Sequence, residues 1–600
     1  MMKRILLALV AVFVMLSGFA APAYRKPFIV KQSDGTELTV ILTGDEALHY
    51  YVTDDGKPLM KEANGDYSYA TFENGVFQST KCLAHNSAKR TLSEKELLTS
   101  VDLSAMKADI AKASSVRSMT YKVAAQRAGS QIVPEGDVNI AVLLVQFKDT
   151  KFTYAKEDFN NILNTKDFVY ENAIANSIGS ARDYFMAQSD GKFRPNFIVT
   201  DIVTLDNNME YYGGNDTSGD DKKATYMVKE GIQKADAAGF DFSKCDNNGD
   251  GEVEFIYCIY AGYSESYGAD ENTVWPHAWE VYDENVTGQL VYDGKQLRGY
   301  ACTSELQGTS GSVMCGIGTF CHEFGHVLGL PDFYVTDYSS SHKTLGDWDI
   351  MDSGSYLNDG NTPPTYSAHE RFYLGWLKPE ILNTSGDFLL EDLQKSNKAY
   401  IITSSGKSNL DGGNPNPATY YLLENRQKTG WDAYLPGHGM MITKTVYDEY
   451  KWYNNVPNNI ANKQGYDIIE ADGRAPNDTY GKPGDLFPGS ANVTRYTLYT
   501  MYHINSIKEQ NGVISFSFDV DGDDSGGDDD ILMGDCFEET FDGLIGISSA
   551  DITELIDDYA DNTGWEGYKL FCSLGALKAG SSRYAGYVTT PTLPFGGNVQ

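Results

Sequence analysis

Residues 322–332 read His322-Glu323-Phe324-Gly325-His326-Val327-Leu328-Gly329-Leu330-Pro331-Asp332. Residues four apart on a helix lie one turn along the same face, so His322 and His326 can each offer one ring nitrogen to a single ion. Glu323 follows the first of them, too close to share that ion and well placed to take a proton from a water beside it. Gly329 permits the left-handed backbone that ends a helix, and Pro331 forbids its continuation. Asp332 then arrives from a turned chain as a third ligand. Two other readings compete: an amphipathic helix with two hydrogen-bonded histidines, and a third ligand drawn from a later helix, where Glu370 is the first glutamate after Glu323.

As a pattern, H-E-x-x-H-x-x-G-x-x-D resembles a metzincin-type zinc signature with Asp in place of the commoner third His. Downstream, Trp348-Asp349-Ile350-Met351-Asp352-Ser353-Gly354 resembles a Met-turn, with the Met351 sulfur as an apolar floor under the metal. Several metzincins carry a Tyr two residues after that Met. Here the position is Ser353, and Tyr356 is the nearest substitute. Cys321 abuts the first ligand, but a catalytic zinc keeps an open position, so it reads as a buried helix residue or half of a disulfide.

Composition narrows the class. A chain of 600 residues, 41% hydrophobic and 22% charged, suits three or four folded domains. A formal charge of −35 argues against nucleic acid and anionic membrane as partners, because both polyanions would be repelled. Lys3 and Arg4 precede an apolar run from Ile5 to Leu16, followed by the small residues Gly18, Ala20, Ala21 and Ala23. This is the layout of a secretory signal peptide over 1–23, with the mature chain starting between Ala21 and Tyr24 and the protein secreted or at the cell surface. No later run is long and apolar enough for a transmembrane anchor. The eight cysteines would allow 105 connectivities if all paired, and the sequence does not choose among them.

Along the chain, the expected fold class is α+β. Residues 24–135 open as a β-rich module with turns at Asp34-Gly35, Asp55-Gly56, Asn64-Gly65 and Asn74-Gly75, and continue as a basic helical stretch. This part reads as a propeptide or, more plainly, as a module with a solvated linker. A catalytic domain over 136–384 begins with the apolar run Asn139–Phe147, the pattern of a central strand covered on both faces. Within it, Asp246, Asn248, Asp250, Glu252 and Glu254 stand at the odd positions of an EF-hand-like loop with Gly251 at position six. A structural calcium site (Ca2+) is expected, although position twelve is Tyr257 and Glu254 must compensate; the plain alternative is an Asx-rich turn. Trp275-Pro276-His277 reads as part of a substrate cleft or as a packed aromatic turn. A β-rich accessory domain over 385–520, an acidic linker over 521–534 and a further β-rich domain beginning at 535–600 complete the chain.

The segments HEFGHVLGLPDFY, DNNGDGEVEFIYCIYAGY, YYLLENRQ and LPGHGMMITKTVYD together resemble the immune inhibitor A family of secreted bacterial metallopeptidases. The resemblance implies a metzincin-like zinc protease domain, with a twisted sheet and an active-site helix, flanked by β-rich propeptide and accessory domains. It implies Zn2+ held by His322, His326 and Asp332, Glu323 as the base, Met351 in the Met-turn, and protein or peptide substrates. Where relatives often show His in the last segment, this chain has Lys444. The start FEETFDG at 537–543 is similar to adhesin-type β-sandwiches, which implies carbohydrate or host-surface binding.

Overall fold

The apolar run at 139–147 forms the middle of a strand that organises the catalytic region. The computed structural model describes residues 19–520 apart from short stretches, chiefly 113–131, 171–175, 217–220, 282–289, 337–341 and 474–480, together with a few strand residues between 566 and 589. The leader run, the 521–534 linker and most of 535–600 lie outside the described residues, as does most of the basic stretch ahead of 132. The described residues fall into two units: those within 1–383, 387–494 and 506–516, and those within 384–386, 495–505 and 517–600. Among them no helix is long and apolar enough to cross a membrane.

The central sheet has six strands: β1 Phe19–Ala20, β2 Gly136–Gln146, β3 Phe193–Thr204, β4 Ile256–Tyr260, β5 His277–Glu280 and β6 Gly299–Ser304. Their order across the sheet is β1-β5-β6-β4-β2-β3. The strands β6, β4, β2 and β3 pair in parallel, whereas β5 runs antiparallel to β6 and β1 antiparallel to β5. Alternate side chains of β2 divide between two cores, as a period of two requires. Ile140, Val142 and Leu144 pack with Phe320 and Phe324 of the helix Ile317–Val327. Ala141, Leu143 and Val145 pack with Met227, Val228 and Ile232 of the helix Ala224–Ala237. That second helix carries Gly231 where a Cβ would stand 2.6 Å from Val145 Cγ1, so the glycine lets helix and sheet close up.

The N-terminal module is a six-stranded antiparallel meander from Phe28–Lys31 to Val76–Leu83, in sequence order. Gly35, Gly56, Gly65 and Gly75 all have positive φ, so the four expected turns are in place. The module shares the first unit with the catalytic region, and so does most of the region expected to form a β-rich accessory domain from 385. There, strands Glu380–Ile381, Tyr400–Ile402, Thr419–Arg426, Gly439–Val446 and Tyr466–Ile468 make a five-stranded sheet. Trp431, Leu435, Met441, Trp452 and Tyr466 belong to the same apolar core as Phe320 and Phe324, which explains why 384 is not a boundary between units.

Candidate metal centre

The helix Ile317–Val327 is buried along its whole length. It ends at Leu328 in a Schellman arrangement: Gly329 N–H donates to the His326 carbonyl (2.9 Å) and Leu330 N–H to the Gly325 carbonyl (3.1 Å), with Gly329 at φ 99°. The chain therefore doubles back, and Asp332 returns to the histidines. His322 Nε2 and His326 Nε2 stand 3.3 Å apart, and each is 3.3 Å from Asp332 Oδ1. Donors at about 2.0–2.1 Å from a tetrahedral zinc stand about 3.3–3.4 Å from one another. The triangle fits that ion.

Hydrogen bonding turns the right atoms inward. His322 Nδ1–H donates to the Ile350 carbonyl (2.8 Å) and His326 Nδ1–H to the Leu330 carbonyl (2.9 Å), so each ring directs its other nitrogen inward. Among the described residues Asp332 Oδ1 has no hydrogen-bond partner, although the residue is fully buried. Burial pushes His322 down, but Asp332 more than offsets this and holds its ring up at about 9. Burial lowers His326, and burial acting against the two rings still leaves Asp332 well below the usual carboxylate range.

Glu323 is fully buried, and neither carboxylate oxygen has a hydrogen-bond partner among the described residues. Burial pushes its carboxyl up to about 8, opposed by His322 and by the Ala21 backbone N–H nearby. Met351 lies under the site helix: a Cβ added to Gly325 would stand 2.5 Å from its sulfur and 3.0 Å from Tyr366 Oη. Cys321 is buried in the core with a free thiol. Glu370, the alternative third ligand, instead caps its own helix by accepting from Ser367 N–H (2.6 Å).

The loop at 246–254 gives no support to the expected calcium site. Asp246 accepts from Gly249 and Gly251 N–H and from Lys295 Nζ (2.6 Å), so a lysine ammonium takes the place of a cation. Asn248 Oδ1 and Asp250 Oδ1 accept from the N–H of Asp250 and Glu252, in successive Asx turns. Glu254 accepts from Asn247. Among the described residues, only the His322, His326 and Asp332 donors converge closely enough for a metal. Sequence spacing could not reveal Lys295, which comes from another strand.

Two further features escaped the sequence reading. Residues 19–24 run through the cleft: β1 pairs with the edge strand β5, the Ala21 carbonyl accepts from Trp275 Nε1 (3.0 Å), and the Pro22 carbonyl accepts from Tyr356 Oη (2.5 Å). Ala21, Pro22 and Ala23 are buried there. Trp275 is buried against Ala23 and Leu42, whereas His277 turns to Tyr300 Oη (2.9 Å) and is pushed down to about 4 by burial. The second feature is Asn455, whose side chain grips Asp332 from 123 residues downstream. The asparagine run around it was the available signal.

Residues 139–377 match the model of the immune inhibitor A peptidase M6 catalytic domain, and this match spans the sheet, the site helix and all three converging donors. This stretch is similar to the catalytic domain of the immune inhibitor A peptidases. The chain is 27% identical over 327 residues to "Immune inhibitor A" of Bacillus thuringiensis subsp. alesti, covering 46% of each chain. It is 26% identical over 234 residues to "Pre-pro-metalloprotease PrtV" of Vibrio cholerae serotype O1 (strain M66-2), covering 34% of this chain and 24% of that one. A third relative is "Putative secreted metallopeptidase" of Arthroderma benhamiae, 25% identical over 211 residues, covering 27% of this chain and 29% of that one. The chain thus spans about half the length of this immune inhibitor A and about a quarter of PrtV.

Proposed function

We propose that this chain is a secreted zinc endopeptidase of the immune inhibitor A type with a metzincin-like catalytic domain, made as a latent precursor. The observation that carries the reading is the equilateral set of donors at 3.3 Å with a buried, unbonded glutamate beside it. His322 Nε2, His326 Nε2 and Asp332 Oδ1 would hold the zinc. When bound, zinc supplies Lewis acidity to a scissile carbonyl and to the attacking water. Glu323, buried beside the three donors, would take the proton from that water and pass it to the leaving amine. Trp275 Nε1 and Tyr356 Oη are placed to hold successive carbonyls of an extended peptide, and the edge of β5 to pair with its backbone.

The latent-precursor reading draws on the N-terminal module that a signal-peptide cut would leave in place: its His49 stacks on Trp275 with ring centroids 4.4 Å apart and lies 3.2 Å from Glu265. Cys82, a conceivable thiol switch, instead packs at the edge of the N-terminal module's core.

Casein and an internally quenched peptide test the function, with the chain assayed before and after limited proteolysis. The treated protein should hydrolyse both, lose activity to a zinc chelator and regain it with added zinc. Glu323→Ala should lower kcat by about 10²–10⁴-fold while keeping its zinc. Hydrolysis that survives chelation, or a Glu323→Ala variant that loses zinc in step with activity, contradicts the assignment.

A further inference from the structure

We propose that Asn455 is a positioning residue of the metal site: it holds Asp332 so that Oδ1, and not Oδ2, faces the two histidines. The proposal rests on the zinc reading above. A carboxylate has two equivalent oxygens and a freely turning plane, so a ligand that must present one of them needs a partner on the other. Asn455 Nδ2 donates to Asp332 Oδ2 (2.7 Å), and Asn455 Oδ1 accepts from the Asp332 backbone N–H (2.6 Å). One rigid amide thus fixes both the main chain and the side chain of the third ligand. Among the described residues Asp332 Oδ1 has no hydrogen-bond partner and lies 3.3 Å from each imidazole nitrogen.

The loop that carries Asn455 is built to hold it there. Asn455 has φ 56°, a left-handed conformation that Asn tolerates better than most residues. Its carbonyl accepts from Thr336 Oγ1 (2.8 Å), Asn458 Nδ2 donates to the Phe333 carbonyl (2.8 Å), and Asn459 Oδ1 accepts from Thr336 N–H (2.9 Å). Three asparagines therefore satisfy the buried turn 332–336 in register. Asn455 and Asn458 are almost wholly buried themselves. This loop lies beyond residue 377, where the match to the family's catalytic domain ends, so part of the site's support comes from outside that domain.

Zinc affinity by chelator competition, measured on the full chain beside the melting midpoint of the metal-free protein, separates positioning from packing. Asn455→Gly removes both hydrogen bonds and tolerates positive φ, so it should fold and bind zinc about 10–100-fold more weakly. Asn455→Asp keeps the acceptor but sets a second carboxylate against Asp332, and should not recover the affinity. Asn459→Ala, which breaks only the Thr336 contact, should lower the midpoint and leave zinc affinity within about twofold. Wild-type affinity in Asn455→Gly, recovery in Asn455→Asp, or an equal loss of affinity in Asn459→Ala would each overturn the proposal. A wild-type chain that binds no zinc would instead overturn the metal reading on which it rests.

Discussion

Gly325 shows how tightly single residues are set at the site. It occupies the middle of the two-histidine turn, and the Met351 sulfur fills the space where a side chain would begin. Gly325→Ala would push that sulfur or the Tyr366 hydroxyl aside in a fully buried core, an overpacking that costs about 1–3 kcal/mol. The expected outcome is a lower melting midpoint in the metal-free chain, and an unchanged midpoint would mean that Met351 does not sit against the helix. At this scale the site was legible because its parts are local: helix period, break and third ligand fall within eleven residues, 322–332. The calcium reading shows the converse. Its spacing was real, but the charge that settles the loop, Lys295 on Asp246, comes from a separate strand.

At the scale of elements, the N-terminal module meets the catalytic region through an exposed Lys26–Asp359 pair and through a buried one. His49 of the strand His49–Thr53 stacks on Trp275 with ring centroids 4.4 Å apart, and its Nε2 lies 3.2 Å from Glu265. Burial pushes His49 down, but its bond to Glu265 raises it on balance; burial raises Glu265 against the pull of His49. Both folded-state pKa values lie above the ordinary ones, so docking takes up protons. The His49 contribution is fully present below the ordinary histidine value near 6.5 and is lost as pH rises through the higher docked value. Latency should weaken in alkali. Basal hydrolysis by the full chain, divided by that of the proteolysed protein, should climb from pH 6 to pH 9, and His49→Gln should flatten the climb. A ratio that stays level in the unmutated chain would show that this pair does not govern docking. The meander itself was readable from its four glycine turns, but pairing of β1 with β5 brings together residues 19–20 and 277–278, which no local pattern links.

Over the whole molecule, the β-rich region from 385 was expected to be packed on or continuous with the catalytic unit, because alternation and turns identify strands, not which core they join. Arg426, on the strand Thr419–Arg426, donates to Asp432 (2.7 Å), Glu424 (3.1 Å) and the Thr365 carbonyl (3.0 Å), all buried. Glu424 in turn accepts from Ala368 N–H, so the end of the catalytic region is tied to the sheet that follows it. A chain stopped at 384 would lose these partners, the core residues Trp431 to Tyr466, and Asn455. It should be insoluble or bind zinc poorly, whereas a chain stopped at 520 should bind it normally; a soluble, zinc-binding 384-residue form would refute the shared core. The central claim is tested most directly by X-ray absorption at the zinc edge of the full chain loaded with one equivalent of metal. Two imidazoles and carboxylate oxygen at about 2.0–2.2 Å, with no sulfur, is the expected first shell. A sulfur at about 2.3 Å would bring Cys321 into the site, and a shell with fewer than two imidazoles would contradict the His322, His326 and Asp332 assignment.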